Sequence, residues 1–353
     1  MVPVPTTFDS SGTAPTLLLL FGTPRSGSSW LGKILDSHPT TLYKHEPDRS
    51  GFGVPLAPSI ETADQWRPRV KDFVARLAST NTQHTSARLP VFRKSYRAKM
   101  VQPLHDFNVL VSRTAALAGY EFPVFQFASL KRSQIRVIWK STDSLGRLGV
   151  ILRNWEDCLA LHIFRHPCGY ISSVLRGEAK HKFVTKMFAS EDYGTLQALI
   201  DSAVCPRGLK LSHLRDLHPV ERMAWFWLLL NEKAQSDTAG DPRCTSVRYE
   251  DICRDPVNNV KELFRFCGLD WNAQTAEFLR SSTLELQPSA LNRITQHSQH
   301  YYSIFRNPRE SAEKWKSEMK LEDIDRVFRI LRQSDLARLY PESEPAIVGE
   351  PQF

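Results

Sequence analysis

Apolar positions along the chain follow two periods. Short runs closed by polar or glycine-rich turns occur at Leu17–Phe21, Arg136–Lys140, Leu159–Arg165 and Thr245–Tyr249, the pattern of strands buried on both faces. Between them the spacing changes to threes and fours. Trp30, Leu31, Ile34 and Leu35 predict a helix over Ser29–Ser37, and Asp64–Ser79, Pro219–Ala234, Val257–Cys267 and Leu321–Leu339 read as further helices. Within the third of these five, Trp225, Phe226, Trp227 and Leu228–Leu230 leave no polar face, so it is expected to pack on both sides. Strands alternating with helices predict an α/β fold around a parallel sheet.

Residues 1–15, with Pro3, Pro5 and Pro15, read as a flexible N-terminus, and 341–353 as a flexible acidic tail. Residues 16–340 contain no repeat and no linker, so they read as a single domain in which 50–134, lacking a recognisable motif, form a helical insertion.

Composition narrows the class without fixing it. Of 353 residues, 41% are hydrophobic and 24% charged, which excludes a disordered or fibrous chain. A net charge of +8 favours a polyanionic partner: nucleic acid, a membrane surface, a phosphorylated cofactor or a sulfated glycan would each be attracted. Six scattered cysteines with no C-x-x-C pair argue against a zinc site or a disulfide framework. Leu17–Phe21 is the longest apolar run near the start, far short of the roughly 20 residues that span a bilayer. No signal peptide or membrane anchor is expected, and the chain reads as cytoplasmic.

The first strand leads into Gly22-Thr23-Pro24-Arg25-Ser26-Gly27-Ser28-Ser29-Trp30. Its G-x-x-x-x-G spacing suits a loop whose backbone N–H groups converge on an anion at a helix N-terminus. A loop that hydrolyses nucleoside triphosphates would carry Lys where Ser28 stands. Here the positive charge lies inside the loop, at Arg25, which points to a differently shaped anion with less need of a metal.

PRSGSSW, at 24–30, resembles the 5′-phosphosulfate loop of sulfotransferases that use 3′-phosphoadenosine 5′-phosphosulfate (PAPS). The Arg form, running on into LDSHP, is most similar to the carbohydrate and tyrosylprotein branches. The resemblance implies a P-loop NTPase-like parallel sheet flanked by helices, with Gly22 to Trp30 holding the cofactor and Trp30 where an aromatic stacks on adenine. Arg165-His-Pro-Cys-Gly-Tyr-Ile-Ser-Ser173 is similar to the family's 3′-phosphate element, in which a guanidinium fork and a helix hydroxyl read the phosphate. Arg248-Tyr249-Glu250-Asp251 resembles the segment whose Tyr lies near the adenosine. Phe305-Arg306-Asn307-Pro308-Arg309, leading to Trp315, resembles the C-terminal Arg segment; Arg306 is the preferred 3′-phosphate ligand and Arg309 its rival.

Sulfuryl transfer needs a proton acceptor, stabilised sulfuryl oxygens and a neutralised leaving oxygen. Cytosolic small-molecule members carry Lys-Thr-His after the corresponding strand, whereas this chain has Lys140-Ser141-Thr142. Lys140 matches the family Lys near the sulfuryl group, and the His is missing. The carbohydrate and tyrosylprotein branches use a Glu instead, which Glu46 in Tyr43-Lys44-His45-Glu46-Pro47 matches. Glu46, Arg25 and Lys140 are therefore the implied catalytic residues. His45 is a competing base, although adjacent positions in an extended segment point oppositely and are not expected to face one group. His45, Arg49 and Trp66 are assigned to the acceptor side, and Arg67, Phe92, Arg93, Tyr96 and Arg97 of the insertion either line it further or belong to a helical cap with a solvated basic face. His297 and His300 lack a carboxylate or cysteine partner, so no metal is expected. The acceptor reads as a glycan, a small polar molecule or an acidic peptide, and not nucleic acid. Two alternatives stay open: a P-loop kinase, and a nucleotide- or glycan-binding protein that keeps Arg165 and Ser173 without turnover.

Overall fold

A computed structural model describes residues 16–125, 135–179, 191–202, 208–284 and 307–343. Five parallel strands, β1 (Leu17–Gly22), β2 (Thr41–His45), β3 (Arg136–Ser141), β4 (Cys158–Phe164) and β5 (Cys244–Arg248), form one sheet in the order β2-β3-β1-β4-β5. With the glycine-rich loop leaving its central strand, the sheet is P-loop NTPase-like.

β1 shows why a continuous apolar run becomes a strand here. Leu17, Leu19 and Phe21 enter one core with Trp139, while Leu18 and Leu20 enter the other with Leu31, Ile34 and Ile138. Each such side chain, moved fully out of water, contributes about 1.5–3 kcal/mol. Pro219–Asp237 lies in the larger core with Trp225, Trp227 and Leu228–Leu230 buried, as its unbroken apolar pattern predicts.

Helices α1 (Ser28–Asp36), α2 (Arg67–Leu77), α3 (Gln83–Ser86), α4 (Gln102–Leu117) and α5 (Leu148–Asn154) lie between the first four strands in sequence, and α6 (Pro167–Ala179) comes directly after β4. The helix expected over Asp64–Ser79 is instead a 3₁₀ turn, Ala63–Trp66, followed by α2, which starts where Pro68 fits the first helical turn. That expected over Leu321–Leu339 stops at Leu331; Ser334 then accepts from Leu336 N and opens a separate turn, Asp335–Leu339. β2 is a strand that the pattern marked only as extended. The residues after it fold over its open edge: Lys44, on one face, donates to Thr80 O (2.8 Å), Asn81 Oδ1 (2.7 Å) and Ser86 Oγ (3.3 Å).

Packed chain continues past the boundary placed at 341. Ser343 is buried and accepts from Arg332 Nε at 2.6 Å, and Glu342 lies 3.4 Å from His166. Among the described residues no helix is long and apolar enough to cross a membrane.

Candidate active site

Register brings the motif residues to one edge of the sheet. His45 of β2 pairs with Lys140 of β3, Lys140 with Leu20 of β1, Gly22 with Ile163 of β4, and Phe164 with Arg248 of β5. The strand ends thus deliver, in spatial order, Glu46, Lys140, the glycine loop, Arg165 and Tyr249. β1 is where successive connections diverge to opposite sides, the position at which parallel α/β sheets form ligand crevices.

The loop is built for close approach. Gly27 has φ 90°, and a Cβ there would lie 2.3 Å from the Tyr249 ring, so no larger residue fits. It precedes α1, whose N-terminus has no side-chain cap. Thr23 Oγ1 and Ser26 Oγ are buried without a hydrogen-bond partner. Buried hydroxyls are rarely left so, and two beside an uncapped helix start fit an anion.

Arg25 departs from expectation. Its φ of 67° turns a non-glycine residue into the left-handed region, and its Nε donates to Ser173 Oγ of α6 at 2.9 Å. The guanidinium therefore joins the group expected to read a 3′-phosphate, and charge beside Glu46 comes from Lys140. Arg165 braces the same region: its Nη1 donates to Arg25 O (2.8 Å) and its Nη2 to Ser311 O (2.7 Å). Its guanidinium lies 5.1 Å from the centre of the Tyr249 ring, and its Nε is buried without a partner. Tyr249 is not the end of a strand but the first residue of the helix Tyr249–Arg254. Trp30, matched to an adenine-stacking aromatic, is buried, meets the Tyr249 ring in a T-shaped contact and donates from Nε1 to Ser282 Oγ at 3.0 Å. Arg309 is committed to Arg254 O at 2.7 Å. Arg306, His297 and His300 lie outside the described residues.

At the other end, Glu46 follows β2 with φ 45°. This turn breaks the alternation of the strand, so His45 and Glu46 do not diverge as expected: His45 Nε2 stands 3.8 Å from Glu46 Oε1. Lys140 Nζ donates to Oε1 at 2.5 Å and Thr142 Oγ1 at 3.1 Å. Thr142, which stands where cytosolic small-molecule members carry His, thus meets the Glu46 carboxylate. Arg49 Nη1 and His84 Nε2 each stand 3.5 Å from Oε2. Burial pushes the Glu46 carboxyl up, but the Lys140 charge and the His84 N–H outweigh it, holding the group well below the usual carboxylate range. Burial, reinforced by Lys140, pushes His45 well below the usual imidazole value, so this ring is neutral at physiological pH.

Asp48 fixes the turn that carries Glu46. It accepts from Trp139 Nε1 (3.0 Å), Ser141 Oγ (2.5 Å) and Ser144 Oγ (2.6 Å). Neither Asp48 nor His84 is marked by the sequence; only the Glu46-Pro47-Asp48 spacing offers a hint of the former. The assigned lining of the insertion is largely structural. Trp66 packs against the larger core, Phe92 meets Phe278 edge-on, Tyr96 donates to Thr41 O, Arg67 pairs with Asp64 at the surface, and Arg93 N donates to Gln274. Arg97 is buried against the Tyr96 ring.

The chain is similar to known proteins. Carbohydrate sulfotransferase 1 of Danio rerio is 21% identical, over 90% of this chain and 76% of its own length, and that of Mus musculus 29%, over 88% and 75%. A solved sulfotransferase domain from the curacin biosynthetic pathway aligns with TM-score 0.45 at 13% identity, covering 91% of this chain and 98% of that one. A sulfotransferase domain model matches 222–339. The sulfotransferase family model spans 18–203, more than half of the chain, from the first strand through the loop, Glu46, Lys140 and Arg165, and on that match the chain belongs to the sulfotransferase family.

Proposed function

We propose that the protein moves a sulfuryl group from PAPS to a carbohydrate hydroxyl, with Glu46 as proton acceptor and Lys140 as the adjacent positive charge. The observation that carries this reading is the Glu46–Lys140 pair, 2.5 Å apart at neighbouring strand ends, beside a loop with two buried, unpartnered hydroxyls. Those hydroxyls and the α1 N-terminus fit a 5′-phosphosulfate; Arg165, Arg25 and Ser173 fit a 3′-phosphate; Tyr249 and Trp30 border the base. The donor supplies an activated sulfuryl group. Glu46 then takes the acceptor's hydroxyl proton, while Lys140 offers its ammonium to the negative charge that develops. The pair also restrains itself: a carboxylate held by an ammonium is a weak base, and an anion that draws Lys140 away restores its basicity. Carbohydrate as the acceptor class rests on the relatives and on the net charge of +8. Nothing favours the kinase alternative, since Ser28 occupies the place of the triphosphate-binding Lys.

Incubation with ³⁵S-labelled PAPS and a glycan panel, with EDTA present, should label a glycan. Label only on peptides or phenols would move the acceptor, and label on nothing would end the transferase reading.

The donor assignment has its own test. Arg165→Ala should weaken calorimetric binding of both adenosine 3′,5′-bisphosphate and adenosine 5′-monophosphate, because Arg165 also braces Arg25 O. The bisphosphate should lose roughly 1.5–3 kcal/mol more, about 10- to 100-fold in Kd. Equal losses would remove Arg165 from the 3′-phosphate.

A further inference from the structure

We infer that His84, from the insertion, is a positioning residue for the base: its Nε2–H holds Oε2 of Glu46, leaving Oε1 as the oxygen that receives the acceptor's proton. The inference rests on the assignment of Glu46 as proton acceptor and adds a residue that the family motifs do not mark.

Three observations support it. The first fixes the ring's tautomer. Arg88 Nη2 lies 3.2 Å from His84 Nδ1; a guanidinium can only donate, so Nδ1 accepts and the ring proton sits on Nε2. The second is aim. That Nε2 is buried without a hydrogen-bond partner and stands 3.5 Å from Glu46 Oε2, a separation of the kind that shortens when a catalytic site fills. The third is anchorage. Lys44 clamps Thr80, Asn81 and Ser86 on either side of His84, Thr82 Oγ1 caps α3 by accepting from Thr85 N, and Arg88 Nε donates to His84 O at 3.3 Å. The segment is fixed to the strand that carries the base.

The tautomer also decides against another use of the cluster. His45, Glu46 and His84 bring three ligand atoms within 4.8 Å of one another. A metal would need a lone pair on His84 Nε2, where Arg88 places the proton.

A carboxylate has two equivalent oxygens and rotates unless one is held. Lys140 and Thr142 meet Oε1; His84 and Arg49 meet Oε2. When Lys140 turns to the donor, Oε1 is released only if Oε2 stays held. Arg49 is half exposed and shared with Asp143, which leaves His84 as the fixed contact. The charged and titratable groups facing Glu46 are then Lys140, His45, His84 and Arg49, with Asp143 beyond.

His84→Ala and His84→Gln test the role, Gln offering an amide N–H at similar reach. In His84→Ala, kcat should fall about 10- to 100-fold, with acceptor KM and the Kd for adenosine 3′,5′-bisphosphate unchanged, the latter showing that the fold is intact. The acid limb of its pH–kcat profile should move up, since a donor to the carboxylate is gone, and His84→Gln should recover most of the rate. In a Glu46→Gln background, His84→Ala should have no further effect. A change confined to KM, a Gln variant as slow as Ala, or a full additional loss in the double variant would overturn the inference with the base assignment intact. A Glu46→Gln enzyme with normal kcat would instead remove the base assignment itself.

Discussion

Glu46→Gln is expected to lower kcat by about 10²- to 10⁴-fold, the usual contribution of a positioned base, without changing the affinity for adenosine 3′,5′-bisphosphate. Glutamine keeps the shape and can still accept from Lys140 and Thr142 at Oε1, but it takes no proton. Nucleotide binding is spared because the groups that fit the nucleotide stand at β1, β4 and β5, away from the β2 end. The structure sharpens the contest with His45, which lies 3.8 Å from Glu46. His45 is neutral, but its Nδ1 is engaged by Tyr43 OH at 3.0 Å and burial disfavours its protonated form. Departure of Lys140 raises the basicity of both groups, but burial, the larger cause for His45, still disfavours its protonated form. Steady-state kinetics of Glu46→Gln and His45→Ala decide between them. A near-normal Glu46→Gln beside an inactive, folded, nucleotide-binding His45→Ala would make His45 the base.

Lys140→Met should act on rate and stability together. Loss of the ammonium is expected to reduce kcat about 10²- to 10³-fold, the scale of one removed electrostatic stabiliser. It also strands Glu46 as a buried charge, and removing one member of such a pair costs about 3–5 kcal/mol. The sign with pH is set by the same charge. In the native protein the Glu46 pKa is depressed, so its contribution is present above the unfolded value near 4.5 and is lost only as pH falls through the lower folded value. Without Lys140, the burial that pushes the carboxyl up is less opposed, so the folded pKa rises from its depressed value. The stability deficit is then largest at neutral pH and shrinks as the solution is acidified through that raised value. Urea denaturation at pH 7 and pH 5 measures it. A deficit growing towards acid would show that Lys140 is not the counter-charge of Glu46.

Legibility in the sequence depended on how local each feature was. β1 was plain because every one of its side chains enters a core, so the pattern is unbroken. β2 was not, because Lys44 is buried at 0% exposure by acceptors at Thr80, Asn81 and Ser86 that no window around Lys44 contains. Glu46 could be picked out by its motif, yet its meeting with His45 depends on a left-handed backbone that the residue type does not announce. His84 gave no signal at all, since its placement depends on Arg88 and Lys44, which the motifs do not include. Arg25 was found in its loop, but its bond to Ser173 was not foreseen, again because it depends on a positive φ. Only Arg25 and Glu46 among the described non-glycine residues have positive φ; such strain persists where surrounding structure enforces it, and it concentrates at functional sites.

The division of labour along the sheet edge has a consequence for how such an enzyme can diversify. The groups fitted to the nucleotide belong to the loop, α6 and the start of Tyr249–Arg254, whereas the covering of the proton-acceptor end comes from a segment hung on the outermost strand by one lysine, Lys44. An edge strand is held by neighbours on one side only, and the segment 80–88 is anchored at the Lys44 acceptors, at His84 beside Glu46 and at Arg88 O, which accepts from Lys33 of α1 at 3.0 Å. Under the proposed function, exchange of the positions between those anchors would alter which hydroxyl meets Glu46 while the groups fitted to the nucleotide stay as they are.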